Sequence, residues 1–106
     1  MAIALSNKQE GQLIIKRIDK AFVNLSRQRY WISVVSFAPI NGYTMFFYTL
    51  RPGEYTRSVP IARLSDRNFN QLIAILKTVR TKYQFTFHYT GFTRQERRIL
   101  YEEVDR

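Results

Sequence analysis

The sequence predicts an α+β fold: a curved antiparallel sheet of four to five strands backed by two to three helices, with residues 1–106 forming a single domain. Three observations carry that prediction. An Asn41-Gly42 pair sits between two apolar runs rich in β-branched and aromatic residues, a strong short-range hairpin signal. Phe69, Leu72, Ile73, Leu76 and Val79 recur at helical spacing. Tyr83, Phe85, Phe87 and Tyr89 alternate with other residues as in a strand with one buried side. A chain of 106 residues can bury a core without disulfides or metal, as the absence of cysteine requires.

The first segment is a helix by the spacing of Ile14, Ile18, Ala21, Phe22 and Leu25, with Ser6 and Gln9 able to cap its start. Phe22-Val23-Asn24-Leu25 leaves a strand at its end as the alternative. A two-residue type I′ loop at Asn41-Gly42 then joins Tyr30–Ile40 to Tyr43–Arg51. In that register Phe37 faces Phe46, Val35 faces Tyr48 and Ser33 faces Leu50 on one side, while Tyr30, Ile32, Val34, Met45 and Phe47 share the other. Both sides are apolar. One must pack on a helix, and the second calls for another layer, a partner subunit or stacked bases. Tyr30 to Leu50 is uncharged and long enough to cross a bilayer, but Pro39-Ile40-Asn41-Gly42 breaks it, which favours the hairpin.

Pro52-Gly53 ends the second strand, and Tyr55 to Arg63 reads as a third, with Tyr55, Arg57, Val59, Ile61 and Arg63 on one side. Pro60 in this run implies a sheet edge or a bulge. Ser65 is the expected N-cap of the following helix, with Leu64 and Phe69 as its hydrophobic staple. The Tyr83–Tyr89 strand is punctuated by Gly91, and a capping box at Thr93 and Glu96 opens a closing helix through about Val104.

Composition narrows the function. Lys and Arg outnumber Asp and Glu by 17 to 8, a net charge of +9 that attracts polyanions. The excess lies in residues 1–90, because residues 91–106 hold four basic and four acidic groups. Twelve of the basic residues are Arg, whose planar fork suits phosphates and can stack on bases. With no Cys and only His88, thiolate chemistry, metal clusters and imidazole relays lack their residues. Glu102 and Glu103 are adjacent on a helix and point in different directions, so they make no acid–base pair. We therefore expect no enzyme, no cofactor and no metal. The start of the chain is too short in apolar residues for a secretory signal, so a cytoplasmic, nucleoid or nuclear protein is expected and a secreted one is not.

Basic and aromatic residues interleave at Lys16, Arg17 and Lys20, at Arg27, Arg29, Tyr30 and Trp31, and at Arg51, Tyr55, Arg57 and Arg63. A single strand needs that mixture, because cations track its phosphates and its unstacked bases seek aromatic faces. Arg29, Tyr30, Arg51, Arg57 and Arg63 form the best group, placed where strand ends and alternation could bring them to one exposed face. Tyr30, Trp31 and Tyr55 read equally well as rings packed beside surface Arg. The expected function is single-stranded DNA or RNA binding with low sequence specificity, in transcription or replication, by a homodimer or higher oligomer.

From Phe22 onward the order of segments resembles the single-stranded nucleic-acid-binding domain of the positive-cofactor-four transcriptional coactivator family. The similar stretches are Phe22–Tyr30, the strands ending at Phe37 and Arg51, and Val59-Pro60-Ile61-Ala62-Arg63-Leu64-Ser65 leading into the Phe69–Val79 helix. Whirly and Pur-repeat proteins share the arrangement of four strands and then a helix. The resemblance implies a sheet that holds nucleic acid on basic and aromatic side chains and a helix that supports dimerisation. Residues 83–105 extend beyond that minimal pattern. The rival reading is a small viral or mobile-element inhibitor or adaptor whose basic face meets an acidic protein partner.

Overall fold

A computed structural model describes residues 6–22 and 27–105. The order of elements is α1 (Asn7–Ala21), β1 (Arg29–Phe37), a 3-10 turn (Ala38–Ile40), β2 (Gly42–Leu50), β3 (Arg57–Leu64), α2 (Phe69–Arg80), β4 (Thr86–Thr90) and α3 (Arg94–Glu103). All three α-helices open with the same reciprocal device. Ser6 with Gln9, Asn68 with Gln71 and Thr93 with Glu96 each exchange side-chain-to-backbone hydrogen bonds, satisfying amide groups that a helix start leaves unpaired. The helical reading of the first segment therefore holds as far as Ala21. The strand alternative falls on Val23–Leu25, outside the described residues.

Ser65 is not a cap. The chain after Leu64 turns through Asp66 at φ 53°, and α2 begins three residues later than expected under Asn68. Three residues after Ser65 stands Asn68, one methylene shorter than the Gln71 that completes the box from Asn68.

The hairpin register also differs. Phe37 pairs with Gly42, Val35 with Thr44 and Trp31 with Tyr48, because Ala38–Asn41 together form the connection and only Asn41, at φ 48°, is left-handed. Gly42 serves a different need from turn flexibility: a Cβ there would lie 1.7 Å from the Leu64 carbonyl oxygen. The slip is even, so every residue keeps the face that alternation assigned to it.

The strand order is β3-β2-β1-β4, and the sheet is mixed, not antiparallel, because β4 runs parallel to β1. A helix that returns the chain along the sheet forces the next strand to repeat the direction of the strand before it; α2 does this between β3 and β4. In β3 the pairing jumps from Ala62 opposite Met45 to Pro60 opposite Phe46, leaving Ile61 as a bulge. The edge and the bulge that Pro60 implied are thus both present.

One face of the sheet carries the core. Ile32, Val34, Met45 and Phe47 meet Ile14, Ile18, Leu72, Ile75, Leu76 and Val79 of α1 and α2, all at most 1% exposed. The two helices cross at Gly11, where a Cβ would come within 2.5 Å of Thr78 Cβ. Arg17 donates from Nη1 to the Ile61 carbonyl at 2.8 Å, tying α1 to the bulge. Arg80 joins the end of α2 to the last strand and helix: it bonds the Phe85 and Val104 carbonyls, pairs with Asp105 at 2.7 Å and lies 4.3 Å over the Phe87 ring. Among the described residues, no helix is long and apolar enough to cross a membrane.

Candidate nucleic-acid interface

Alternation places the partners of the core residues on the face away from the helices. There Trp31 of β1 stands opposite Tyr48 of β2, and their rings are nearly parallel at 4° with centroids 5.3 Å apart. His88 of the edge strand β4 stacks on Trp31 at 5.8 Å and 21°. Phe46 meets Tyr48 edge-on at 6.5 Å. A row of rings thus crosses β4, β1 and β2, each half-buried or exposed. Val35, Phe37 and Leu50 extend the same apolar face, and none of its described strand residues is acidic. Arg29 and Arg63, both exposed, lie at opposite ends of the strands, Arg29 paired with Leu50 and Arg63 with Thr44.

The acids lie elsewhere. All five ion pairs among the described residues, Glu10–Arg67, Glu103–Lys77, Asp105–Arg80, Asp19–Lys82 and Glu102–Arg98, are made from helices and their flanks. None involves Arg29, Arg51, Arg57 or Arg63. The perturbed acidities follow the same division. Hydrogen bonds from Tyr83 and Lys82 hold the Asp19 carboxyl below its usual range. Burial, helped by Asp19, pushes the Tyr83 phenol up to about 12. Burial and the nearby Asp105 carboxylate raise Tyr89, and burial raises Tyr43. Among the described residues no three His, Cys, Asp or Glu side chains could together hold a metal ion.

The expected site residues do not share one surface. Lys16 and Lys20 are exposed on α1, in the helix layer, and the Arg17 guanidinium is bonded to β3. Arg27 is exposed in a left-handed turn at φ 63° before β1. Arg29, Trp31 and Arg63 are on the open face. Tyr30 points inward, its ring 4.8 Å from Phe22 and stacked at 6.0 Å on Phe47, with its hydroxyl donating to Gln28. Arg51, Tyr55 and Arg57 surround a separate cleft on the helix side of the sheet, where Tyr30 and Phe47 also contribute to the walls. Arg57 and Arg63 were expected on one side; the Ile61 bulge shifts the alternation between them and sends them to opposite faces.

Three rings of the open face escaped the sequence reading: Phe46, Tyr48 and His88. Alternation puts Phe46 and Tyr48 on the open side of the hairpin, but the interleaving pattern groups Arg51 with Tyr55 and not with these rings. His88 alternates with the Phe85–Phe87–Tyr89 stripe, which places it away from the core and is the signal by which the sequence marks it as a surface ring.

Comparison with protein-family models, with curated proteins and with solved structures gives no match.

Proposed function

We propose that the protein binds single-stranded nucleic acid with low sequence specificity on the open face of its sheet. The observation that carries this reading is the His88–Trp31–Tyr48 ring stack on a face whose described strand residues include no Asp or Glu and which is flanked by Arg29 and Arg63. Bases extend the stack at its ends and against Phe46, each contact contributing about 1–3 kcal/mol. The guanidinium groups neutralise phosphates and release counterions. Duplex DNA keeps its base faces inside its own stack and engages this surface only through charge. Transcription and replication, both of which expose single strands, are the processes we propose it serves.

Trp31 is the only tryptophan and stands in the proposed platform, so its emission reports occupancy. A single-stranded oligonucleotide at low salt should quench it, with affinity falling steeply as salt rises. Tighter binding of duplex, or no quenching at low salt, contradicts the proposal. The apolar residues Val35, Phe37 and Leu50 on the same face favour a second reading, a protein partner seated there, either acidic or a second copy. That reading predicts a stoichiometric protein complex that survives nuclease treatment.

A further inference from the structure

At the end of the sheet where β1 begins and β2 finishes lies a cleft of about 210 Å³, lined on the α1 side by Ala21. Its aromatic wall is Tyr30 and Phe47, whose rings stack at 12°. Arg51-Pro52-Gly53-Glu54 forms the adjoining turn, with Gly53 at φ 77° and the Glu54 amide bonded to the Arg51 carbonyl at 3.1 Å. Pro followed by a positive-φ Gly is the type II pattern, which fixes the loop geometry before any ligand arrives. Although the turn brings Arg51 and Glu54 close, none of Arg51, Glu54 and Arg57 takes part in an ion pair among the described residues. Tyr55 follows the turn and is 94% exposed, the most exposed of the large apolar side chains among the described residues. The fold derives almost no burial from that ring.

Two unneutralised guanidinium groups, a carboxylate acceptor and a solvated ring therefore converge on a small aromatic-walled cleft. Its volume is below the range of about 300–1,000 Å³ usual for drug-sized ligands, so it suits one planar ring. We propose that this cleft is a single-nucleotide subsite in which Arg51 and Arg57 hold the phosphate, Tyr55 closes over the base, and Glu54 accepts hydrogen bonds from the edge of the base. Guanine offers a carboxylate two adjacent N–H donors, whereas uracil offers one N–H between two carbonyl oxygens that repel it. The subsite thus prefers guanine and supplies a local base preference that the open face lacks. The inference rests on the nucleic-acid reading for its ligand class only, because the cleft and Trp31 lie on opposite faces of the sheet.

The experiment uses the whole chain with GMP, UMP and inorganic phosphate, following backbone amide resonances of residues 51–57 and the emission of Trp31. GMP should shift the amides of Glu54, Tyr55 and Arg57 at concentrations below those that alter Trp31 emission, and should bind more tightly than UMP or phosphate. Tyr55→Ala and Arg57→Gln should each weaken GMP by roughly 10-fold or more, and Glu54→Gln should narrow the gap between GMP and UMP. Tyr55→Ala removes an exposed ring and leaves the core intact, so loss of binding there is not loss of folding. Absence of shifts in residues 51–57 at millimolar GMP, or equal shifts with phosphate alone, overturns the subsite. Failure of an oligonucleotide to quench Trp31 speaks against the platform on the other face and leaves this result standing.

Discussion

The two faces of the sheet are made from the same strands and from similar residues, yet they hold different positions in the molecule. The covered face buries Ile32, Val34, Met45 and Phe47 under α1 and α2. The open face lines up His88, Trp31 and Tyr48 with nothing over them in the described chain. Charge separates in parallel: the ion-paired carboxylates belong to the helices and their flanks, while the open face carries guanidinium groups only at its ends. Apolar residues on both sides of a sheet do not by themselves reveal which side is core. The distribution of the acids does.

Stability should divide along this line. Phe47→Ala opens a cavity among Phe22, Tyr30 and Phe85 and should destabilise by about 3–5 kcal/mol in urea unfolding. Trp31→Ala on the other face should cost about 1 kcal/mol, the scale of a cross-strand pair. Equal losses would mean that the open face is covered in solution.

Binding should divide the other way. Trp31→Ala and Tyr48→Ala should each weaken a single-stranded oligonucleotide by about 1–3 kcal/mol, read by fluorescence anisotropy of a labelled strand, whereas Phe69→Leu in the helix layer should leave it unchanged. A smaller effect sharpens the role of charge. Arg29→Gln and Arg63→Gln should each reduce the slope of log affinity against log salt by about 0.7, and Lys16→Gln on α1 should not alter it.

The smallest expected effect is alkaline. The Tyr83 phenol titrates near 12 when folded, above the ordinary phenolic value of 10. The native state therefore keeps a proton that the unfolded chain gives up, so this contribution to stability is complete below about pH 10 and is lost as pH rises toward 12. Denaturant midpoints should fall across that window, and Tyr83→Phe should flatten the decline.

Much of this architecture is legible in the sequence. The faces of β1 and β2, the stripe of α2, the closing helix under Thr93 and the Pro60 irregularity all follow from alternation, spacing and capping chemistry. The hairpin register is not, because Gly42 reads as a turn residue while its physical duty is clearance for the Leu64 carbonyl, a contact 22 positions away. The parallel placement of β4 was equally hidden, since strand direction depends on where α2 delivers the chain. For the site, types of residue were readable and their convergence was not. One bulged residue, Ile61, decided that Arg57 and Arg63 part company.

Ultraviolet crosslinking of the intact protein to a halogenated single strand, with the linked peptides sequenced, tests the division of labour most directly. Crosslinks should fall on Trp31, Tyr48 and His88. A map confined to α1, at Lys16 and Lys20, would contradict the account.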